Sequence, residues 1–337
     1  MMTHDIIVNA RFRSRAQTGV ERYGAEILQR IGERVRIVQP EWGLQGTAGH
    51  FWEQFILPLL VHPKAVLWSP ANTGPLSLSN QVLSLHDLTP LESPEWYQAS
   101  FSLWYRIFLP RLIRRVRRVV VPSEYIRQKV LARFSLPAEQ AITIPCGVDT
   151  NRFQPGERYL DQTPYLLFVG TLQPRKNLPV LLNVWGDIKK RYPGQVLVIA
   201  GAAGRSFQRV HLPGSQDQVR YTGYVPEAEL PRLYAGATAF VFPSLDEGFG
   251  LPLMEAMASG VPVIASRAGA IPEVVGDAAL LFDPNNPTEL ACELCRCLDQ
   301  PELRSTLRLS GLERAKIFSW DTCAQRIWQV LEEAHAA

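Results

Sequence analysis

Two glutamates, Glu247 and Glu255, stand eight positions apart around the run Gly248-Phe249-Gly250-Leu251-Pro252. Paired carboxylates can do acid–base work or grip a polar ligand. The glycines point toward a grip, because bare backbone lets a ligand approach and its N–H groups can be aimed at an anion. Pro252 suits a first helical turn and Gly260 a helix stop. This predicts a helix over 252–259, with Glu247 in the loop before it and Glu255 in the first turn or just past it. An acidic first turn that complements the helix dipole would account for Glu255 alone, but not for the glycines.

A second group follows the apolar run "YLLFV". In "GTLQPRKN", Gly170 to Asn177, Arg175 and Lys176 fall in a loop or at a helix start. A helix N-terminus favours anions, and two cations beside it suit a diphosphate. A solvated basic turn is the other reading. In "TGVERY", Thr18 and Glu21 match a capping box, which is sufficient for both side chains. Gly19 at the same turn could also admit a phosphate. His86-Asp87 closes the run "QVLSL", a position open to a structural or a ligand-facing histidine.

The elements that must position these residues alternate along the chain. "DIIVNA", "AVLWSP", "QVLSLHD", "RRVVV", "YLLFVGT", "VLVIAG", "AFVFPS" and "PVIAS" read as strands, most of them followed by helical patterns. Ser123 is the expected N-cap of "EYIRQKVLARF". Continuous apolar runs between helices mark parallel strands covered on both faces, so the class is α/β and doubly wound. The pattern restarts near Tyr165, after a turn-rich linker over 145–164. This divides the chain into Rossmann-like domains at 1–160 and 161–318, with a helix at 319–337. Ligands in such sheets bind beyond the carboxyl ends of the strands, and two facing domains would form a cleft.

Composition narrows the class. The chain has 337 residues, 46% hydrophobic and 20% charged, with a net charge of +3. That is enough chain for two cores, and the balance of charges argues against nucleic acid as a partner. No apolar run approaches the roughly 20 residues that span a bilayer, and no signal peptide is evident; the expected location is cytoplasmic. The five cysteines are expected to be free thiols. "CELCRC" has no second Cys/His pair at zinc spacing and reads as small residues on a helix.

These segments together resemble the retaining glycosyltransferases of family 4, which have the GT-B fold. "SLDEGFGLPLMEAMASGVPVIAS" resembles the family's E-x7-E motif, "FVGTLQPRKNLPVLL" its phosphate segment, and "VRYTGYVPEAELPRLYAGATAFVFPS" its base-binding region. The resemblance implies roles. Arg175 and Lys176 would neutralise the donor diphosphate and Glu255 would bind the ribose. Glu247, with the backbone of Gly248, Phe249, Gly250 and Leu251, would hold the donor sugar and phosphate. Gly170 and Thr171 would line the donor, and Tyr224 and Val225 would meet the base through main-chain atoms. His86 would sit beside the transferred sugar and Gly19 near the diphosphate. The final helix would return to the N-terminal domain. Two departures stand out: Thr171 replaces a frequent Arg or Lys, and Cys146 replaces a frequent Asn. "PRKN" resembles a mannosyltransferase subgroup, which implies GDP-mannose; UDP-glucose and UDP-N-acetylhexosamine stay open, as does a non-catalytic nucleotide-sugar-binding protein. A NAD-dependent oxidoreductase lacks support, because no G-x-G-x-x-G follows the first strand.

No Asp-x-Asp occurs in the sequence, so no metal is expected as cofactor. The acceptor is expected to be a saccharide or lipid-linked oligosaccharide. In 101–118, Phe101, Trp104, Tyr105 and Phe108 alternate with Arg106, Arg111, Arg114, Arg115, Arg117 and Arg118. Such a helix suits peripheral contact with an anionic membrane, on the inner face of the cytoplasmic membrane. An ordinary amphipathic helix with inward aromatics would have the same composition.

Overall fold

The apolar runs form the centres of two parallel six-stranded sheets in the computed structural model, which describes residues 5–14, 18–41, 43–44, 46–156, 163–202, 207–208 and 217–336. The chain divides into two units. The first takes in the chain as far as Glu92, Ser102–Gly147 and the segment from Ser319 onward. The second takes in Ser93–Phe101 and Val148–Phe318. The change of unit therefore falls at 147/148, inside the linker expected over 145–164; residues 157–162 of that linker lie outside the described residues.

In the first unit the strands are β1 (Ile6–Asn9), β2 (Arg36–Val38), β3 (Val66–Ser69), β4 (Gln81–Ser84), β5 (Arg118–Val121) and β6 (Ala141–Thr143), in the order β2-β1-β3-β4-β5-β6. In the second they are β7 (Tyr165–Val169), β8 (Val196–Ala200), β9 (Val219–Gly223), β10 (Ala239–Phe242), β11 (Val263–Ser266) and β12 (Ala279–Phe282), in the order β12-β11-β10-β7-β8-β9. Each order reverses direction once, between β1 and β3 and between β7 and β10. At such a reversal the connecting helices leave toward opposite faces and open a crevice at the carboxyl ends. Leu166 and Leu167 of β7 pair with Ala239 and Phe240 of β10, so the loops after these strands start side by side.

Local signals set the helix starts. In α1 (Gly19–Ile31) the Thr18 N–H donates to the Glu21 carboxylate at 3.2 Å. After α2 (Ala99–Arg115), α3 (Glu124–Phe134) begins at Ser123, whose hydroxyl accepts the Ile126 N–H at 3.3 Å. α4 (Leu178–Arg191) buries Leu181, Leu182, Trp185 and Ile188 in the core beneath β7 and β8. α5 (Leu251–Ala258) follows β10, and α6 (Pro287–Asp299) carries Cys292, Cys295 and Cys297; all five thiols are free. α7 (Trp320–Ala336) packs on α1, with the Tyr23 and Trp320 rings 6.2 Å apart and Arg30 Nε 2.5 Å from Asp321 Oδ1. Among the described residues no helix is long and apolar enough to cross a membrane.

The ends of β7 and β8 meet without room for a side chain. Gly170 N–H donates to the Ala200 carbonyl at 2.9 Å, and a Cβ on Gly201, at φ +149°, would fall on the Gly170 carbonyl oxygen. Gly201→Ala should push these strand ends apart and cost about 1–3 kcal/mol, read by urea unfolding. Unchanged stability would mean that the Gly170 loop yields freely.

Candidate active site

The loops leaving β7 and β10 are stitched together by charge. After Gly170 a 3-10 turn, Pro174–Lys176, ends at Asn177 with φ +50°, which turns the chain into α4. Across from it, the Leu245 N–H donates to the Arg175 carbonyl at 2.8 Å. Glu247 then reaches both cations: Oε1 lies 2.6 Å from Lys176 Nζ and Oε2 lies 3.1 Å from Arg175 Nη1. Arg175 Nη1 also donates to the Asp246 carbonyl at 3.3 Å, and Lys176 Nζ sits 4.6 Å from the centre of the Phe242 ring. Glu247 is only 5% exposed and Lys176 7%. Burial by itself would raise the Glu247 carboxyl, but Arg175 and then Lys176 outweigh it and hold the group below its ordinary range. The loop has a tight support in Gly269, at φ +58°, where a Cβ would lie 2.5 Å from the Glu247 nitrogen.

The α5 helix starts at Leu251, one residue before the expected Pro252. Gly250, at φ +96°, serves as its N-cap, a conformation that a side chain would strain. The Phe249 side chain is buried edge-on against Phe318, with ring centres 5.6 Å apart, so its backbone is the part left for a ligand. Glu255 lies in the second turn of α5, where its Oε2 accepts the Tyr234 hydroxyl at 2.9 Å. Tyr234 is itself buried between Phe153 and Phe240. Each glutamate thus has a protein partner: two cations for Glu247 and a phenol for Glu255. Thr171 is half-buried beside Gly170. Tyr224, 64% exposed, and half-buried Val225 follow β9.

The remaining predicted residues belong to the first unit. Gly19 is the exposed first residue of α1. His86 follows β4 half-buried, its N–H donating to Asn72 Oδ1 at 2.7 Å and its Nε2 lying 2.8 Å from the Pro70 carbonyl. A carbonyl only accepts, so Nε2 carries the proton and Nδ1 of the neutral ring is left as an acceptor. Burial pushes the His86 pKa below its ordinary value, despite the opposing Pro70 contact. The Tyr23 ring, from α1, stands edge-on to His86 at 4.7 Å and so ties the Gly19 helix to this histidine. In α2 the aromatics and the arginines lie on different faces, as in the ordinary amphipathic helix. Tyr105 and Phe108 are buried and Trp104 is half-buried, whereas Arg106, Arg111, Arg114 and Arg115 are exposed. The sequence's aromatic–basic surface over 101–118 is therefore not formed by the aromatics, which complete the core instead.

Comparison with known proteins matches residues 149–313 to "Glycosyl transferases group 1" and residues 65–152 to "Glycosyltransferase Family 4". The chain is 32% identical to the O-antigen chain mannosyltransferase B of Escherichia coli, over 78% of this chain and 76% of that protein. The chain belongs to glycosyltransferase family 4. The MMP alpha-(1->4)-mannosyltransferase of Mycolicibacterium hassiacum is also 32% identical, over 72% of this chain and 60% of that protein. The sucrose-phosphate synthase of Thermosynechococcus elongatus superposes with a TM-score of 0.75 at 20% identity, covering 98% of this chain and 99% of that one. HepE of Anabaena, solved with UDP and glucose, gives 0.71 at 18% identity, covering 97% and 99%. The fold of this glycosyltransferase is GT-B.

One polar cluster was not found from the sequence. At the β1/β3 reversal, Glu53 Oε1 lies 2.8 Å from Asn9 Nδ2, 3.2 Å from Arg11 Nε and 3.1 Å from Thr73 Oγ1, and Arg11 Nη2 donates to Thr73 at 2.9 Å. All four residues are buried. Burial would raise the Glu53 carboxyl, but Arg11 together with His50 and Asn9 outweighs it and the pKa falls to about 2. Glu53 sits in a π-helical turn, Trp52–Ile56, inside the helical segment 46–60. An isolated acid in "HFWEQFILPLL" is the one signal the sequence offered. Tyr234 offered none.

The cost of uncoupling the ion triad is measurable. Glu247→Gln keeps an acceptor but takes the carboxylate charge away from buried Lys176 and half-buried Arg175, for an expected loss of about 3 kcal/mol at pH 7. The Glu247 pKa is lower in the folded state, so its contribution is complete above the ordinary carboxyl range and disappears as pH falls through the folded value. The gap between the variant and the parent should therefore narrow below about pH 4 in urea unfolding. A gap that stays constant with pH would show that charge is not what Glu247 contributes.

Proposed function

We propose that this glycosyltransferase moves mannose from GDP-mannose, with retention at the anomeric carbon and without a metal, onto a saccharide or lipid-linked oligosaccharide acceptor in surface polysaccharide assembly. The observation that carries this reading is the ion triad: Glu247 holds Arg175 and Lys176 side by side at the β7/β10 reversal. When a nucleoside diphosphate leaves, negative charge builds on its phosphates. Cations already oriented in a site with little water stabilise that charge without reorganising, and so can supply what a divalent ion would otherwise supply. The backbone of Gly248, Phe249, Gly250 and Leu251 would meet the sugar and phosphate, with Gly170 and Thr171 beside them. Glu255, steadied by Tyr234, would take the ribose hydroxyls, and Tyr224 and Val225 the base. The resemblance to the family assigns Gly19 to the diphosphate and His86 to the transferred sugar.

Retention could proceed through a covalent intermediate, as when two carboxyls stand about 5 Å apart across a glycosidic bond. Glu247 is poorly suited to that role, because both of its oxygens are engaged by cations. Attack by the acceptor on the face from which the diphosphate departs is the better fit. The two mannosyltransferase relatives support mannose. A UDP-sugar donor is the second reading, favoured by the HepE structures with UDP and UDP-glucose.

Thermal-shift measurements against GDP-mannose, UDP-glucose and UDP-N-acetylglucosamine should give the largest shift with GDP-mannose. Turnover of that donor should survive EDTA and fall about 10²-fold or more in Lys176→Ala. A larger shift with a UDP-sugar would overturn mannose as the sugar. Activity lost to EDTA and restored by magnesium would overturn metal independence. A trapped glycosyl-enzyme adduct would overturn same-face attack.

A further inference from the structure

His86 is gripped by the loop after β3, and that loop is in turn fixed from its other side. The Asn72 backbone is left-handed, at φ +64°, a conformation that asparagine tolerates better than most residues. From there one residue holds the end of β4 twice. Its N–H donates to the Ser84 carbonyl at 3.1 Å, and its Oδ1 accepts the His86 N–H at 2.7 Å. Two positions earlier, the Pro70 carbonyl accepts the proton of His86 Nε2. The same loop therefore holds both the backbone and the ring of His86. One residue beyond Asn72, Thr73 Oγ1 sits 2.9 Å from Arg11 Nη2 and 3.1 Å from Glu53 Oε1. Gln54, next to Glu53, brackets the following turn: its Nε2 donates to the Gly74 carbonyl and its Oε1 accepts the Leu76 N–H, both at 3.0 Å. All of these residues belong to the first unit.

From this geometry we infer that Asn72 is a positioning residue for His86, and that the buried Arg11–Glu53–Thr73 cluster acts on the histidine through the loop 70–73. The inference rests on the reading that sets His86 beside the transferred sugar. A neutral imidazole has two tautomers, and a sugar hydroxyl meets a donor at one ring nitrogen and a hydrogen-bond acceptor at the other. The Pro70 carbonyl selects the Nε2–H form only while its loop stays fixed against β4. The ion pair behind Thr73 fixes that loop at folding, so the ring needs no reorganisation when a donor arrives. A simple turn after β3 would need the left-handed backbone of Asn72 but not the bond from its side chain to His86.

The test joins imidazole nitrogen NMR of the full chain to GDP-mannose hydrolysis, both at about pH 8, where an ordinary histidine is neutral. The His86 signals are those lost in His86→Gln. In the parent they should show the Nε2–H tautomer. Asn72→Gly keeps the left-handed turn and removes only the side-chain clamp. It should mix the two tautomers and lower kcat about tenfold or more, with KM within about twofold of the parent and the melting temperature unchanged. Asn72→Asp, which keeps an acceptor for the His86 N–H, should restore the signals and the rate. Thr73→Val should move the same signals, and Thr73→Ser, which keeps the hydroxyl, should not. A parent ring protonated on Nδ1, or parent signals in Asn72→Gly, would overturn Asn72 as a positioning residue. Parent signals in Thr73→Val would overturn the link to the buried cluster. Ring signals that change in Asn72→Gly while kcat does not would uphold the positioning and overturn the placement of His86 beside the sugar.

Discussion

Arg175 and Lys176 are neighbouring cations with little water around them, a placement that is unfavourable until an opposite charge lies between them. Glu247 supplies that charge from the far side of the strand-order reversal, and in doing so joins the loop after β7 to the loop after β10. Many other features serve this contact. Asn177 takes a left-handed conformation to turn the chain into α4 just past the cations. Gly269 gives its backbone space beside Glu247, and Phe242 provides a ring face for the ammonium. A site organised by its own carboxylate keeps its cations in place between ligands, so the electrostatic work is done at folding.

The sheet orders explain why the triad lies where it does. In the second unit β7 and β10 are neighbours whose following helices leave toward opposite faces, and the triad joins the two loops at the reversal, where such sheets open a crevice. The first unit repeats the arrangement between β1 and β3, and there too a buried acid, Glu53, faces an arginine, Arg11. In the first unit, however, the acid comes from an added helix and not from a strand loop.

Eight of the strands were legible in the sequence, and these are the interior strands of the two sheets. The four that were missed, β2, β6, β9 and β12, are the four edges. An interior strand is covered on both faces and reads as an unbroken apolar run, as in "AFVF" or "VIAS". An edge strand is short and partly wet: β2 begins with exposed Arg36, and most of β9 is exposed. At the candidate site, residue types and their place after strands singled out Arg175, Lys176 and Glu247, which the structure brings together, and Glu255. Their partners were not legible, because the triad closes over about seventy positions and Tyr234 lies in an unremarkable helix.

The π-helical turn at Trp52–Ile56 has a mechanical consequence. A wide turn holds more residues than an α-turn, and everything after it is rotated about the helix axis by the excess. The same turn that carries Glu53 toward Arg11 and Asn9 also sets the phase of Phe55, Ile56, Leu59 and Leu60 on the outside. Interior charge and exterior grease are therefore geared together. Deleting one residue from the turn would unmesh both, withdrawing the carboxylate from its partners and rolling the apolar side chains around the helix.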